Sequence, residues 1–141
     1  MGNQTLAIIK PDAIAGRHQG KIIDRILESG FTIRAIRTVK MSKLQAEGFY
    51  EVHRGKSFFE ELTTFMSSGV CMPMVLEKDN AVETFRILIG ATNPAEADPG
   101  TIRKDFAASV GENAIHGSDS DENAEKEVAF FFATGDILAN L

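Results

Sequence analysis

Cysteine is almost absent from this chain: Cys71 is the only one in 141 residues. No disulfide can form within the chain, so a reducing compartment suits it, and Cys71 itself reads as a small buried residue in a strand. Histidine is scarce too. His18, His53 and His116 lie far apart, and with one distant thiol they make no zinc ligand set. No apolar run approaches the length of a membrane span. The amino-terminal Met1-Gly2-Asn3-Gln4-Thr5 lacks the basic-then-apolar order of a secretory leader, and Leu6 stands where an acylation motif wants Ser or Thr. A soluble cytoplasmic protein is expected. Positive charge is short as well: 15 basic against 20 acidic residues leave a net charge of −5. That balance argues against general nucleic-acid binding, while leaving room for a local basic pocket. Repeats, low-complexity tracts and flexible linkers are missing, and the length fits one domain over residues 1–141.

The chain does have a regular alternation of strand and helix patterns. Leu6-Ala7-Ile8-Ile9 is a short apolar run ended by Pro11, and reads as a buried strand. Ile22, Ile23, Ile26 and Leu27 recur at helical spacing up to Gly30. Phe31, Ile33, Ala35, Val39 and Met41 alternate and predict a strand with one buried face. Ser42 with Gln45 looks like a capping box, and Ser57 with Glu60 looks like another, opening a helix lined by Phe58, Leu62 and Phe65. Val70 to Glu77 is a third strand, in which Pro73 suggests an edge or a bulge. Val82, Phe85 and Ile89 mark a helix closed by Gly90, Thr92 to Gly100 is loop, Ala114 to His116 a short strand, and Ala124, Val128 and Phe131 the stripe of a last helix. Two strand-helix-strand halves predict an α/β (α+β) ferredoxin-like βαββαβ sandwich, a mostly antiparallel four-stranded sheet covered by helices.

Chemistry gathers around Asn113-Ala114-Ile115-His116-Gly117-Ser118-Asp119-Ser120. Imidazole is a nucleophile that splits a difficult group transfer into two easier ones through a covalent intermediate. Ser118 and Asp121 fit a helix start, and Glu127, further along that helix, could reach back to one ring nitrogen, fix the tautomer and leave the other nitrogen free. A phosphoryl donor needs cations around its oxygens; Lys10, Arg86 and Arg103, with Thr92, are the candidates. Gly16 to Ile22 imitates a phosphate loop but is one residue short, and Ile22 replaces the magnesium-binding hydroxyl, so it reads as a loop into the first helix.

The whole chain resembles the nucleoside diphosphate kinase family. The resemblance is carried by Thr5 to Ala13, by Tyr50-x-x-His53 with Lys56-Ser57-Phe58-Phe59, and by Met74-Val75-Leu76-Glu77. It continues through Gly90-Ala91-Thr92-Asn93-Pro94, Pro99-Gly100-Thr101-Ile102-Arg103-x-Asp105-Phe106 and Asn113-x-x-His116-Gly117-Ser118-Asp119-Ser120. It implies transfer of the terminal phosphoryl group from a nucleoside triphosphate, commonly ATP, to a nucleoside diphosphate, by a ping-pong mechanism through a phosphohistidine at His116. Lys10 would contact ribose and phosphate, Tyr50 would lie beside the histidine, and Phe58 and Val110 would sandwich the base. Arg86, Thr92 and Arg103 would hold phosphates with His53 nearby, Asn113 would bind ribose, and Ser118 and Glu127 would support His116. Magnesium would arrive with the phosphates rather than on protein ligands. The resemblance further implies a homo-oligomer, tetramer or hexamer. Ser57 stands where the family often has proline, and Val70-Cys71 replaces another common proline. Two other functions fit parts of the pattern: a regulatory module that binds nucleotides without turning them over, and a phosphocarrier serving protein partners.

Overall fold

A computed structural model describes residues 2–141; Met1, the first residue of the segment expected not to be a secretory leader, lies outside the described residues. The strands are β1 (Gln4–Ile9), β2 (Thr32–Ile36), β3 (Met72–Glu77) and β4 (Ile115–Gly117). The helices are α1 (Pro11–Ala15), α2 (Gln19–Glu28), α3 (Lys43–Phe49), α4 (Phe59–Met66), α5 (Ala81–Ile89), α6 (Ile102–Phe106), α7 (Asp121–Phe131) and α8 (Thr134–Leu138), with a 3-10 turn at Glu51–His53. All strand pairs are antiparallel, in the order β2-β3-β1-β4. This is the ferredoxin-like βαββαβ sandwich expected from the element order.

β1 lies between β3 and β4, and that position explains its composition. A strand covered on both faces reads as a continuous apolar run rather than an alternation. Ala7 and Ile9 face one layer, with Met74, Leu76, Ile22, Ile26, Phe85 and Ile89. Leu6 and Ile8 face the other, with Val75, Ala46, Tyr50, Phe59, Met66, Val128 and Phe131. Leu6 through Ile9 are fully buried. Fully burying one such side chain contributes about 1.5–3 kcal/mol, so this strand anchors both layers.

Four local expectations change. The alternating residues from Phe31 to Met41 do not share a face. Between Ile33↔Leu76 and Ala35↔Val75 the register shifts, so β2 spends two residues against one on β3. That bulge reverses the parity: Phe31 and Ile33 pack in the first layer, Ala35, Val39 and Met41 in the second. Pro73 does not mark an edge, because β3 is interior. Its carbonyl accepts from Arg37 N (3.1 Å), just beyond the end of β2, so its missing N–H faces the ragged end of that pairing. Ser42 and Gln45 form the expected capping box, but Ser57 caps nothing: α4 starts at Phe59 after an N-cap at Phe58, and its buried residues are Phe59, Thr63 and Met66. Finally, α7 is capped by Ser120, whose side chain accepts from Asn123 N, and not by Ser118. α1, α6, α8 and the 3-10 turn, all of five residues or fewer, carry too little periodicity to be read from the sequence.

Candidate active site

β4 is short, and its partner β1 sets its position. Ile8 pairs with His116, and Ala7 with Gly117. His116 therefore projects toward the α3–α4–α7 layer, while its neighbours Ile115 and Gly117 turn toward α5. A Cβ on Gly117 would lie 3.0 Å from Phe85 and 3.1 Å from Ile89, so the glycine makes room for α5 directly behind the histidine.

The imidazole is held on one side. Nε2 lies 2.7 Å from Glu127 Oε1, and the Ser118 hydroxyl donates to that same oxygen at 2.8 Å. The Ser118 hydroxyl also accepts from Leu6 N at 3.2 Å. A carboxylate accepts only, so Nε2 carries the proton and the Nδ1 lone pair remains. Glu127 reaches the ring because α7 runs back over β1 and buries Ala124, Val128 and Phe131, the stripe expected for that helix. The edges of Phe49 (centroids 5.5 Å apart) and Tyr50 (6.2 Å) flank the ring. Tyr50 is buried, its hydroxyl has no partner among the described residues, and burial, with Glu127 and Cys71 close by, pushes its pKa up. It stays a neutral phenol beside His116.

Cationic groups collect at the same end of β1, just beyond the residue that pairs with His116. Lys10 follows β1, is buried, and donates to Asn113 Oδ1 at 2.8 Å. Burial, then Arg103, depress its pKa to about 8, with Asp12 pulling the other way. Asn113 Nδ2 donates to Thr92 O at 3.4 Å, which ties the loop after α5 to the loop before β4. Arg103 lies in α6, buried, with Nη1 on Gly90 O (3.0 Å) and Nη2 on Ile115 O (2.8 Å). Burial and the nearby charge of Arg86 lower its pKa to about 10, so it remains a cation at neutral pH. Gly90, at φ 89, is fitted closely to Thr101: an added Cβ would meet the Thr101 side chain at 2.6 Å. Arg86 and Thr92 are exposed and line a surface depression of about 400 Å³ with Gly90, Ala91, Glu96 and Thr101.

His53, Phe58 and Val110 complete the set. The His53 ring stacks 6.3 Å from Tyr50 and lies 5.3 Å from Phe58. Burial, then Lys56, lower its pKa. Phe58 (44 % exposed) and Val110 (53 % exposed) offer apolar surface to solvent. The loop of Val110 comes near α4, since a Cβ on Gly111 would lie 3.7 Å from Glu61. Hydrogen bonds, ring contacts and neighbouring charges thus connect every expected site residue except Val110. Phe49 and Asp119 were not singled out in the sequence. Asp119, its carboxyl held low by Asn123 and, further off, by Arg86 and His116, was visible only as part of the histidine motif. Among the described residues no three His, Cys, Asp or Glu side chains converge on one point.

Residues 3–137 match the family model for nucleoside diphosphate kinase. The chain is 54% identical over 137 residues to a nucleoside diphosphate kinase of Salinibacter ruber, covering 97% of this chain and 96% of that protein. It is 55% identical over 135 residues to one of Syntrophotalea carbinolica, covering 96% and 98%. Among solved structures, the nucleoside diphosphate kinase of Aquifex aeolicus superposes with a TM-score of 0.94 at 43% identity, covering 96% of this chain and 98% of that one.

Proposed function

The chain belongs to the nucleoside diphosphate kinase family and is a nucleotide phosphotransferase, and from that premise we propose a double-displacement mechanism through His116. The observation that carries the proposal is the polarised imidazole, with Nε2 on Glu127 and Nδ1 left as the only nucleophilic nitrogen. In the first half-reaction the Nδ1 lone pair attacks the terminal phosphorus of a nucleoside triphosphate, commonly ATP. A P–N bond forms, the bond from phosphorus to the β–γ bridging oxygen breaks, and the diphosphate leaves. Positive charge grows on the ring and is met by Glu127. In the second half-reaction a terminal oxygen of another nucleoside diphosphate attacks the phosphohistidine, and Nδ1 leaves with its electron pair.

Arg86 and Arg103 would neutralise phosphate oxygens with Thr92 and His53 beside them, and Lys10 and Asn113 would bind ribose and phosphate. Phe58, with Val110 opposite, would stack on the base, an interaction that tolerates any base. The substrate would be the magnesium complex of the nucleotide. That ion would take most of its ligands from phosphate oxygens and water, and would withdraw charge from the phosphoryl oxygens. We further propose that residues 1–141 work as one domain, in the cytoplasm, as a homo-oligomer, tetramer or hexamer. β2 and β4 are the two edge strands of the sheet, the places where a partner strand could pair. No described helix is long and apolar enough to cross a membrane.

The test is label transfer. Protein incubated with γ-labelled ATP and magnesium, then freed of nucleotide, should carry an acid-labile label that moves to added GDP. Label that persists in the presence of GDP would point to a phosphocarrier, and nucleotide binding without label to a regulatory module.

Lys10 supplies a second expectation, on pH. Its cation should be lost as pH rises through about 8, which removes positive charge from the phosphate site. The alkaline limb of kcat/KM, which reports the free enzyme, should therefore bend near that value and move up by at least one pH unit in Lys10→Arg. The sign for stability is opposite. Between about 8 and 10.5 the unfolded chain holds the Lys10 proton more tightly than the folded one, so this group makes folding more favourable as pH rises through that window. A limb unmoved in Lys10→Arg would assign it to another group.

A further inference from the structure

Immediately before the histidine strand the backbone makes an unusual turn. Ile115 N donates to Asn113 O at 2.8 Å, closing a three-residue ring over Ala114. Ala114 sits there at φ 73. A γ-turn with positive φ at its centre is the rare, strained form, and alanine lacks glycine's freedom to adopt it. Strain of this kind persists only where surrounding structure imposes it.

The surroundings are specific. Ala114 O accepts from Lys10 N at 2.9 Å, and Ala114 N donates to Asp12 Oδ2 at 3.0 Å. Both peptide groups of the strained residue are therefore bound to the segment that follows β1. Lys10 contributes only its backbone, which the end of the strand fixes in any case. Asp12, in the first turn of α1, contributes a side chain, and its other oxygen, Oδ1, is buried without a partner among the described residues. One carboxylate oxygen is thus committed to the turn, and the carboxylate has no second polar contact competing for it. On either side of the turn stand Asn113, bonded to the Lys10 ammonium, and His116, two residues on.

We propose that Asp12 is a positioning residue, whose carboxylate holds Ala114 in its strained turn and so places His116 for phosphoryl transfer. Among the described residues, no hydrogen bond joins the Asp12 carboxylate to His116 or Tyr50. Asp12 acts through the Asn113–Ile115 backbone. The inference rests on His116 being the phosphoryl acceptor.

The test combines two substitutions. Asp12→Ala should slow single-turnover labelling of His116 by about 10- to 100-fold, the scale of a small misplacement of a reacting group. Nucleotide affinity should change less, because Asn113 keeps its own bonds to Lys10 and Thr92. Asp12→Asn retains an acceptor oxygen and should keep labelling within about threefold of the parent. The decisive variant is Asp12→Ala with Ala114→Gly. Glycine reaches positive φ without a clamp, so labelling should recover to within about fivefold, whereas Ala114→Gly alone should leave the rate unchanged. A carboxylate that merely stabilised α1 would not be rescued from position 114. If Asp12→Ala does not fold, Asp12→Ser, whose oxygen stands one bond nearer the backbone, takes its place in both comparisons. Labelling at the parental rate in Asp12→Ala, or a double variant as slow as Asp12→Ala alone, would overturn the proposal. Failure of the parent protein to label at all would instead remove the reading of His116 beneath it, and this inference with it.

Discussion

His116→Ala should reduce phosphoryl transfer between nucleotides by at least about 10⁴-fold, the scale seen when a covalent nucleophile is removed. Its melting temperature should stay within about 4 °C of the parent, because a half-buried ring at the mouth of a site contributes little to the core. The expectation follows from how little else in the site can accept a phosphoryl group. Lys10 Nζ is engaged with Asn113, the Tyr50 hydroxyl is buried and stays protonated, and the Ser118 hydroxyl is committed to Glu127. Steady-state rates with ATP and GDP, read beside a calorimetric scan, check both halves. Transfer persisting at a tenth of the parental rate would mean that the phosphoryl group passes directly between two bound nucleotides or through His53, the other imidazole beside the phosphates. The covalent intermediate at His116 would then have to be abandoned, whatever the family.

Periodicity made the sheet legible, and the element order made its topology legible. β1 could be read because burial on both faces leaves an unbroken apolar run, and α7 because Ala124, Val128 and Phe131 repeat at helical spacing. β2 misled for a physical reason. Its apolar residues alternate without interruption as far as Ala35, but an extra residue in the ladder changes the face they occupy. A bulge is a property of two strands, so one strand's pattern does not reveal it. The reading of Ser57 failed in a similar way. A serine three residues before a glutamate resembles a cap, yet the chain between Arg54 and Phe58 is held in turns that leave Ser57 outside the helix.

The candidate site was legible as residues that the fold brings together, and not as a geometry. Nothing in the sequence pattern says that Arg103 grips the carbonyls of Gly90 and Ile115, or that Asp12 reaches Ala114 across about a hundred positions. Those bonds use backbone groups, which every residue has, so composition carries no trace of them. Glu127 was different. Its distance along α7 from the histidine motif allowed a return contact, and the structure supplies it at 2.7 Å.

That contact yields the second large effect. Glu127→Ala should lower kcat by roughly 10²- to 10³-fold with KM for nucleotides within about twofold, since Glu127 lies on the side of the imidazole away from the attacking nitrogen. Two contributions are removed together. The ring loses the acceptor that keeps its proton on Nε2, so a fraction of molecules present Nδ1–H, which cannot attack. In the proposed mechanism it also loses the negative charge that opposes the cation growing on the ring as the P–N bond forms. Glu127→Gln separates them, because an amide oxygen can still accept from Nε2 and from Ser118 but carries no charge. If orientation dominates, the glutamine variant should fall only about tenfold, and if charge dominates it should fall nearly as far as alanine. Ser118→Ala should cost less than either, because it removes one donor to Oε1 and leaves the carboxylate on the ring. An alanine variant with unchanged kcat and a raised KM would place Glu127 in nucleotide binding rather than in the transfer step. The short distance from Nε2 to Oε1 would then be a structural contact without a share in the chemistry.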